Sequence, residues 1–247
     1  MKNTSYICLT KKRKNTFMRK TLYALLASAA LCSCANQYTI EGQTSSSDFE
    51  GKKITLKTVS ADGMTSIDSC EVIHGNFKMS GKCDSICMAE LFLDGTPLMP
   101  LLLEAVPLEV SINDTVMRVK GTELNEHLYD FIYKKAELEQ MANELPRVQS
   151  RMIMDGKDED EINYYLNAQM QQISAEYDKL VMEYLTQNFD NMLSVGVFML
   201  HTQNSTPMIN AQIEDIMSKA SDSFKNNAYV KEFMKTAEEN QRNMYGR

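Results

Sequence analysis

The hydrophobic period of this chain changes at Gly121, and few folds accommodate such a change. Upstream, apolar and polar residues alternate in short runs, the pattern of strands with one buried face. Tyr38–Gly42, Lys53–Val59, Ile67–Val72, Phe77–Gly81, Met88–Asp94, Leu108–Ile112 and Thr115–Val119 read as strands. Met99–Leu103 is a more continuous apolar run, bounded by Pro97 and Pro107. Ala61-Asp62-Gly63 and Asn113-Asp114 are turn signals. His74-Gly75 predicts a tight hairpin turn, with Val72 opposite Phe77 and Cys70 opposite Met79. Many short strands between turns predict an antiparallel β-sandwich-like domain or open barrel over 38–120.

Downstream, apolar residues step by three and four. Leu124, Leu128, Phe131, Leu138, Ala142, Leu145 and Met152 follow heptad-like spacing, interrupted by Lys135. Pro146 is expected to kink or break that helix. Asp155-Gly156-Lys157 turns the chain, and Asp158 with Glu161 reads as a capping box. Ile162, Leu166, Met170, Ile173, Tyr177, Leu180 and Tyr184 then mark a second long helix, which should pack antiparallel to the first. Val195–His201 predicts a short helix, Thr206-Pro207 the start of another, and Ala228–Asn243 a last one. The expected fold class is α+β: the β domain, then a helical domain over 121–247 made of an antiparallel helical hairpin and further short helices.

Residues 1–33 read as a signal peptide with an upstream extension, Met1–Phe17, before an alternative start at Met18. Arg19 and Lys20 precede the apolar run Leu22–Leu31, about half of the roughly 20 residues a spanning helix needs. The run ends in Leu31-Cys32-Ser33-Cys34, a small residue directly before a cysteine. This resembles the lipobox of bacterial lipoproteins and implies lipidation of Cys34, with 34–37 as a lipidated tether. Cys32 does not suit that pattern, because bulky Leu31 precedes it. Ala35–Gln37 lacks the acidic cluster that, in lipoproteins of the Bacteroidetes, resembles a surface-export signal. The expected address is therefore the outer membrane, facing the periplasm.

Charge narrows the partners. Residues 1–33 hold seven of the 26 Lys and Arg and none of the 33 Asp and Glu, so the remainder carries a formal charge of −14. Such a body repels nucleic acid and anionic membrane surfaces. Contact with the membrane must then come through lipid on Cys34, and several acyl chains anchor stably.

Beyond Cys34 the thiols are Cys70, Cys83 and Cys87. Cys83 and Cys87 form a candidate disulfide if Asp84-Ser85-Ile86 closes a hairpin, because positions i and i+4 of one extended strand lie too far apart. Otherwise they are small buried hydrophobes. A redox dithiol usually sits as Cys-x-x-Cys at a helix start, and that spacing does not occur in this sequence. The many Met residues fall mostly on or beside apolar stripes, where gap filling outweighs soft-metal binding, and a Met-rich groove for a partner peptide is a further reading. His74, His127 and His201 stand alone, and Asp155–Glu161 lacks the ligand order of a calcium loop. No hydrolase, zinc-protease or phosphate-loop motif occurs. No catalytic residue, metal site or cofactor is assigned.

Several stretches recur together in one known family. They are Tyr38-Thr-Ile-Glu-Gly42, Ile67-Asp-Ser-Cys-Glu-Val-Ile-His-Gly-Asn-Phe-Lys-Met-Ser-Gly81, Leu101–Glu104, Val119-Lys-Gly-Thr-Glu-Leu-Asn125 and Asn188-Phe-Asp-Asn-Met-Leu-Ser-Val-Gly-Val-Phe198. The chain resembles the domain of unknown function, DUF 4369 type, that precedes a thioredoxin-like domain in Bacteroidetes thiol-disulfide oxidoreductase lipoproteins. The resemblance implies a lipoprotein with a β domain and a helical extension. It carries over no catalytic residue, because no positions match the thioredoxin Cys-x-x-Cys. Asp84-Ser85-Ile86 and Asp114-Thr115-Val116 also resemble a short O-glycosylation acceptor of such envelope proteins. The expected function is a non-catalytic envelope lipoprotein that binds a partner protein, peptide or small ligand through apolar grooves between the β domain and the hairpin. The alternatives are an accessory to thiol–disulfide exchange, through Cys83 and Cys87 or by docking to a separate thioredoxin-like protein, and a hydrolase with no nameable nucleophile.

Overall fold

A computed structural model describes residues 36–60, 63–113 and 116–246. The expected signal peptide, Cys34, Ala61-Asp62 and Asp114-Thr115 lie outside the described residues. Eight strands come first: β1 (Gln37–Thr44), β2 (Lys53–Ser60), β3 (Gly63–Glu71), β4 (Asn76–Lys82), β5 (Cys87–Leu93), β6 (Thr96–Leu103), β7 (Pro107–Ile112) and β8 (Met117–Lys120). Six helices follow: α1 (Glu123–Met154), α2 (Glu159–Asn188), α3 (Met192–Thr202), α4 (Ala211–Lys219), α5 (Asp222–Asn226) and α6 (Ala228–Tyr245). The fold is α+β. The period change at Gly121 marks the change of element type within one unit, Gln37–Arg247.

The strands make two sheets, ordered β4-β1-β7-β8 and β3-β2-β5-β6. All pairs are antiparallel except β1 with β7. Between β1 and β7 the chain passes through β2 and β3 of the second sheet, β4 of the first, and β5 and β6 of the second, and such a long connection permits parallel pairing. In the first sheet Tyr38 pairs with Gly81 and Gly42 with Phe77, on either side of Ile40 and Met79. A Cβ at Gly42 would lie 2.0 Å from the Phe77 ring, and one at Gly81 would lie 2.8 Å from the Tyr38 hydroxyl. Each glycine thus makes room for the aromatic ring on the opposite strand, and both rings are buried. The Tyr-x-x-x-Gly and Phe-x-x-x-Gly segments fit each other only when paired head to tail.

The His74-Gly75 turn forms as predicted. Both residues have positive φ, 52° and 70°, which is the two-residue turn that suits strand twist. Ile73 and Asn76 exchange backbone hydrogen bonds at 2.9 and 3.0 Å, and the Glu50 carboxylate accepts from His74 N and Gly75 N at 2.9 and 3.1 Å. The pairing expected beyond the turn does not follow. Cys70 pairs with Ile54 on β2, and Met79 pairs with Ile40 on β1. The hairpin opens into both sheets because Val72, Phe77 and Met79 all fill the space between them.

The second sheet is the middle layer of three. Its inner face gives Ile54, Leu56, Leu91, Leu101 and Leu103 to the sandwich core. Its other face gives Met88 and Leu102 to a core shared with the helices. Burial on both sides explains the unbroken Leu101–Leu103 run. At Gly196 an added Cβ would meet Met88 Sδ at 3.3 Å, so the absence of a side chain lets α3 lie close on this sheet. Phe198 anchors the helical layer, with Phe233, Phe224 and Tyr229 at 5.1, 5.4 and 6.3 Å between ring centres.

The helices depart from expectation in local ways. Helix α1 runs unbroken through Pro146. Pro146 is exposed, so water can satisfy the carbonyl that its missing N–H leaves over. The Asp158 cap forms, accepting from Glu161 N at 2.9 Å, but the Glu161 side chain pairs with Lys157 at 2.7 Å instead of closing the box. Helix α4 starts at Asn210, whose side chain caps Ile213 N at 2.9 Å. Pro207 precedes it and accepts from Asn240 Nδ2 at 3.0 Å, which ties this segment to α6. The short helix α5, capped by Ser221, has no counterpart among the predicted elements.

Candidate functional site

Helix α1 begins by sealing the open side of the sandwich. Gly121 has φ 111°, and a Cβ there would stand 2.6 Å from the Pro107 carbonyl. Thr122 caps the helix by accepting from Asn125 N at 3.2 Å. Asn125 is fully buried. Its Oδ1 accepts from Leu102 N at 2.9 Å, and its Nδ2 donates to Leu102 O at 2.8 Å. One side chain thus mimics a neighbouring strand on the edge strand β6. In the next turns Tyr129 Oη donates to Pro100 O, also on β6, and Tyr133 Oη donates to Met117 O on β8, the edge of the first sheet, both at 2.8 Å. With Pro97 and Pro100 in β6 removing donors, the β6 edge has little left to offer another strand. The Val119–Asn125 motif is therefore a clamp between the two element types.

These positions coincide with a family boundary. Residues 38–128 match the family model described as Domain of unknown function (DUF4369). The match covers this segment alone, less than half of the chain. The match takes in the paired Tyr–Gly and Phe–Gly segments and ends at Leu128, just past the Asn125 clamp. No curated protein matches the sequence.

The cysteines of the matched segment are shielded. Cys83 and Cys87 are both free thiols. The hairpin that would have joined them is absent, because β4 belongs to the first sheet and β5 to the second, so 83–86 crosses between layers. Cys83 Sγ donates to Ser85 O at 3.2 Å and Leu103 O at 3.5 Å. Burial pushes the Cys83 thiol up, and burial with the nearby Cys83 pushes Cys87 up to about 11. Thiols held this way carry little thiolate at neutral pH. Cys70 is half-buried against the sandwich core, and burial raises its thiol as well.

The three histidines lie on separate elements. His74 is exposed at its turn and His127 on α1, while His201 lies in the last turn of α3. His201 Nδ1 is 3.1 Å from Tyr177 Oη. Gln212 bonds to this ring and donates to Asp178 Oδ1 at 2.9 Å, which links α2, α3 and α4. Burial lowers the His201 pKa against the opposing pull of Asp178. Among the described residues no group of three His, Cys, Asp or Glu could hold a metal ion, and no helix is long and apolar enough to cross a membrane. The Asp84-Ser85-Ile86 motif lies in the exposed crossing between β4 and β5. Asp114 and Thr115 of the second motif lie outside the described residues.

Besides a cleft at the thiols, three further grooves occur among the described residues. One, of about 710 Å³, lies along the polar face of the first sheet, beside a Glu41–Lys78 pair at 2.6 Å. A second, about 300 Å³, lies where the sheets meet the helices, between Val59 and Met64 on one side and Tyr229 and Phe233 on the other. It involves α6 rather than the hairpin, whose base is clamped tight by Asn125. The third, about 440 Å³, runs along the hairpin itself. Leu145, Val148 and Ile173 form its floor, Met141 and Tyr165 its walls, and Glu137 and Glu144 its rim. Met141 is 46% exposed, Tyr165 42% and, towards the tip, Met154 86%. The sequence pattern did not place this groove, because its residues continue the stripe that is buried at the hairpin base. The only signal was the density of Met and Tyr between 141 and 170.

Proposed function

We propose that this chain is a non-catalytic envelope lipoprotein, tethered by lipid on Cys34, that binds a partner protein or peptide along its helical hairpin. The observation that carries the reading is the apolar groove from Met141 to Tyr165, standing on a hairpin whose base is locked to the second sheet. Exposed apolar surface gathered on one element marks an interaction site more often than chance scatter does. The shielded thiols weigh against the rival reading, direct exchange through Cys83 and Cys87. That rival still has one favourable observation, since both thiols border a single cleft of about 340 Å³.

Two experiments test the proposal. Cys34→Ser should move the protein from the membrane fraction to the soluble one, and the parent should carry acyl mass on a peptide starting at Cys34. A variant that still fractionates with membranes overturns the tether. A photo-crosslinking side chain at Tyr165 should capture a discrete partner in intact cells, whereas the same group at Lys52 should not. Equal or absent adducts at both positions overturn the binding role. Thiol trapping that finds Cys83 and Cys87 reactive in the folded protein favours the exchange reading instead.

A further inference from the structure

We infer that the hairpin groove receives a basic amphipathic helix of a partner protein, which lies along α1 and α2 as the third helix of a bundle. This rests on the binding role proposed above and adds the chemistry of the partner. The groove sits between two antiparallel helices, and its apolar walls and floor come from both. Two helices alone can bury only the seam between them, and a third completes the layer. The stripe from Glu137 to Val148 spans about three turns, so the occupant is a helix of roughly 12 residues or more with apolar anchors at i, i+3, i+4 and i+7.

Charge selects among occupants. Residues 137–176 contain nine Asp and Glu against Arg147, Arg151 and Lys157, a net charge of −6. On the groove itself the charged rim residues are Glu137 and Glu144, two turns apart on one edge. Arg147 pairs with Glu144 at 3.6 Å, but that pair is exposed and weak enough for an incoming cation to replace it. The remaining rim residues, Gln140 and Gln169, are neutral. A partner helix with Lys or Arg two turns apart on its flank would meet both carboxylates. A second copy of this chain would bring another acidic arm against the first, and an anionic lipid surface would be repelled in the same way.

The test uses the full chain and a labelled peptide of about 16 residues with Leu at the anchor positions and Lys on the flanks, compared with the same peptide carrying Glu for Lys. Fluorescence anisotropy should show the Lys peptide binding with a Kd on the order of 10 μM, at least roughly tenfold tighter than the Glu peptide, and weakening as salt is added. Tyr165→Asp should abolish binding. Glu137→Lys with Glu144→Lys should invert the peptide preference, while Glu159→Lys with Glu161→Lys, an equal charge change at the hairpin tip, should leave the preference in place. Equal affinity for both peptides, no binding, or inversion by the tip variant overturns the inference. So does a concentration-dependent dimer that Tyr165→Asp dissolves, or binding to phosphatidylglycerol vesicles. If adducts still form at Tyr165 in cells while the Lys peptide fails, the binding role stands and only the basic helix falls.

Discussion

At its base the hairpin of α1 and α2 gives Leu128, Phe131, Val181 and Leu185 to the helical core and Tyr129 to the sandwich core. Over residues 139–172 the same two helices bury only Ile162. The apolar spacing is much the same in both halves. What differs is the third layer: at the base the helices have the middle sheet and α3 against them, and further out they have only each other. A heptad stripe therefore specifies which face of a helix is apolar, while the neighbours decide whether that face becomes core or contact surface.

Breaking the base should cost most. Phe198→Ala removes the ring that Phe224, Tyr229 and Phe233 all pack against. It should destabilise the protein by about 3–5 kcal/mol in urea unfolding, the range for deleting a buried aromatic ring. Next comes the clamp. Asn125→Ala strips Leu102 of both backbone partners inside the protein, and the expected loss is about 2–3 kcal/mol, since each orphaned buried group forfeits its solvation. If Asn125→Ala proves neutral, the clamp is incidental and the base is held by apolar packing alone.

These two sites also show what the sequence could disclose. All eight strands were legible, because each keeps its alternation or its apolar run. The His74-Gly75 turn was legible because two left-handed residues in succession suit few other settings. The partition of β3 and β4 between sheets was not, since local pairing predicts a hairpin and only the filling of the sandwich by Val72, Phe77 and Met79 overrides it. Asn125 gave no sign of its role, because a polar residue one turn into an amphipathic helix reads as surface. The hairpin groove was half legible: the Met and Tyr residues stood out, but their exposure depended on the missing third layer.

The outer half should answer differently to similar changes. Val148→Ala lies on the groove floor, half-buried. It should cost under about 1 kcal/mol, because surface and partly exposed truncations rarely exceed that. Hydrogen exchange sharpens the point: amides of 139–154 should exchange through local opening, well before those of 124–132. Equal protection in both halves would mean that something already covers the arm.

Acidity should produce the smallest effect, and only at the base. His201 faces Tyr177 and Asp178 from α2, Gln212 from α4 and Lys135 from α1. Burial holds its folded pKa below the ordinary value of about 6.5. Above that value the ring is neutral in both states and contributes no pH dependence. As pH falls through it, the unfolded chain takes up the proton first, so stability declines until the folded ring also titrates and the loss levels off. Stability should therefore rise with pH across this window, and His201→Gln should flatten that part of the slope while leaving the carboxylate-driven loss at lower pH. Exchange rates of the outer amides should not follow this titration, because no histidine lies between 128 and 200. If acid loosens the outer half as much as the base, the two ends are coupled more tightly than their burial implies.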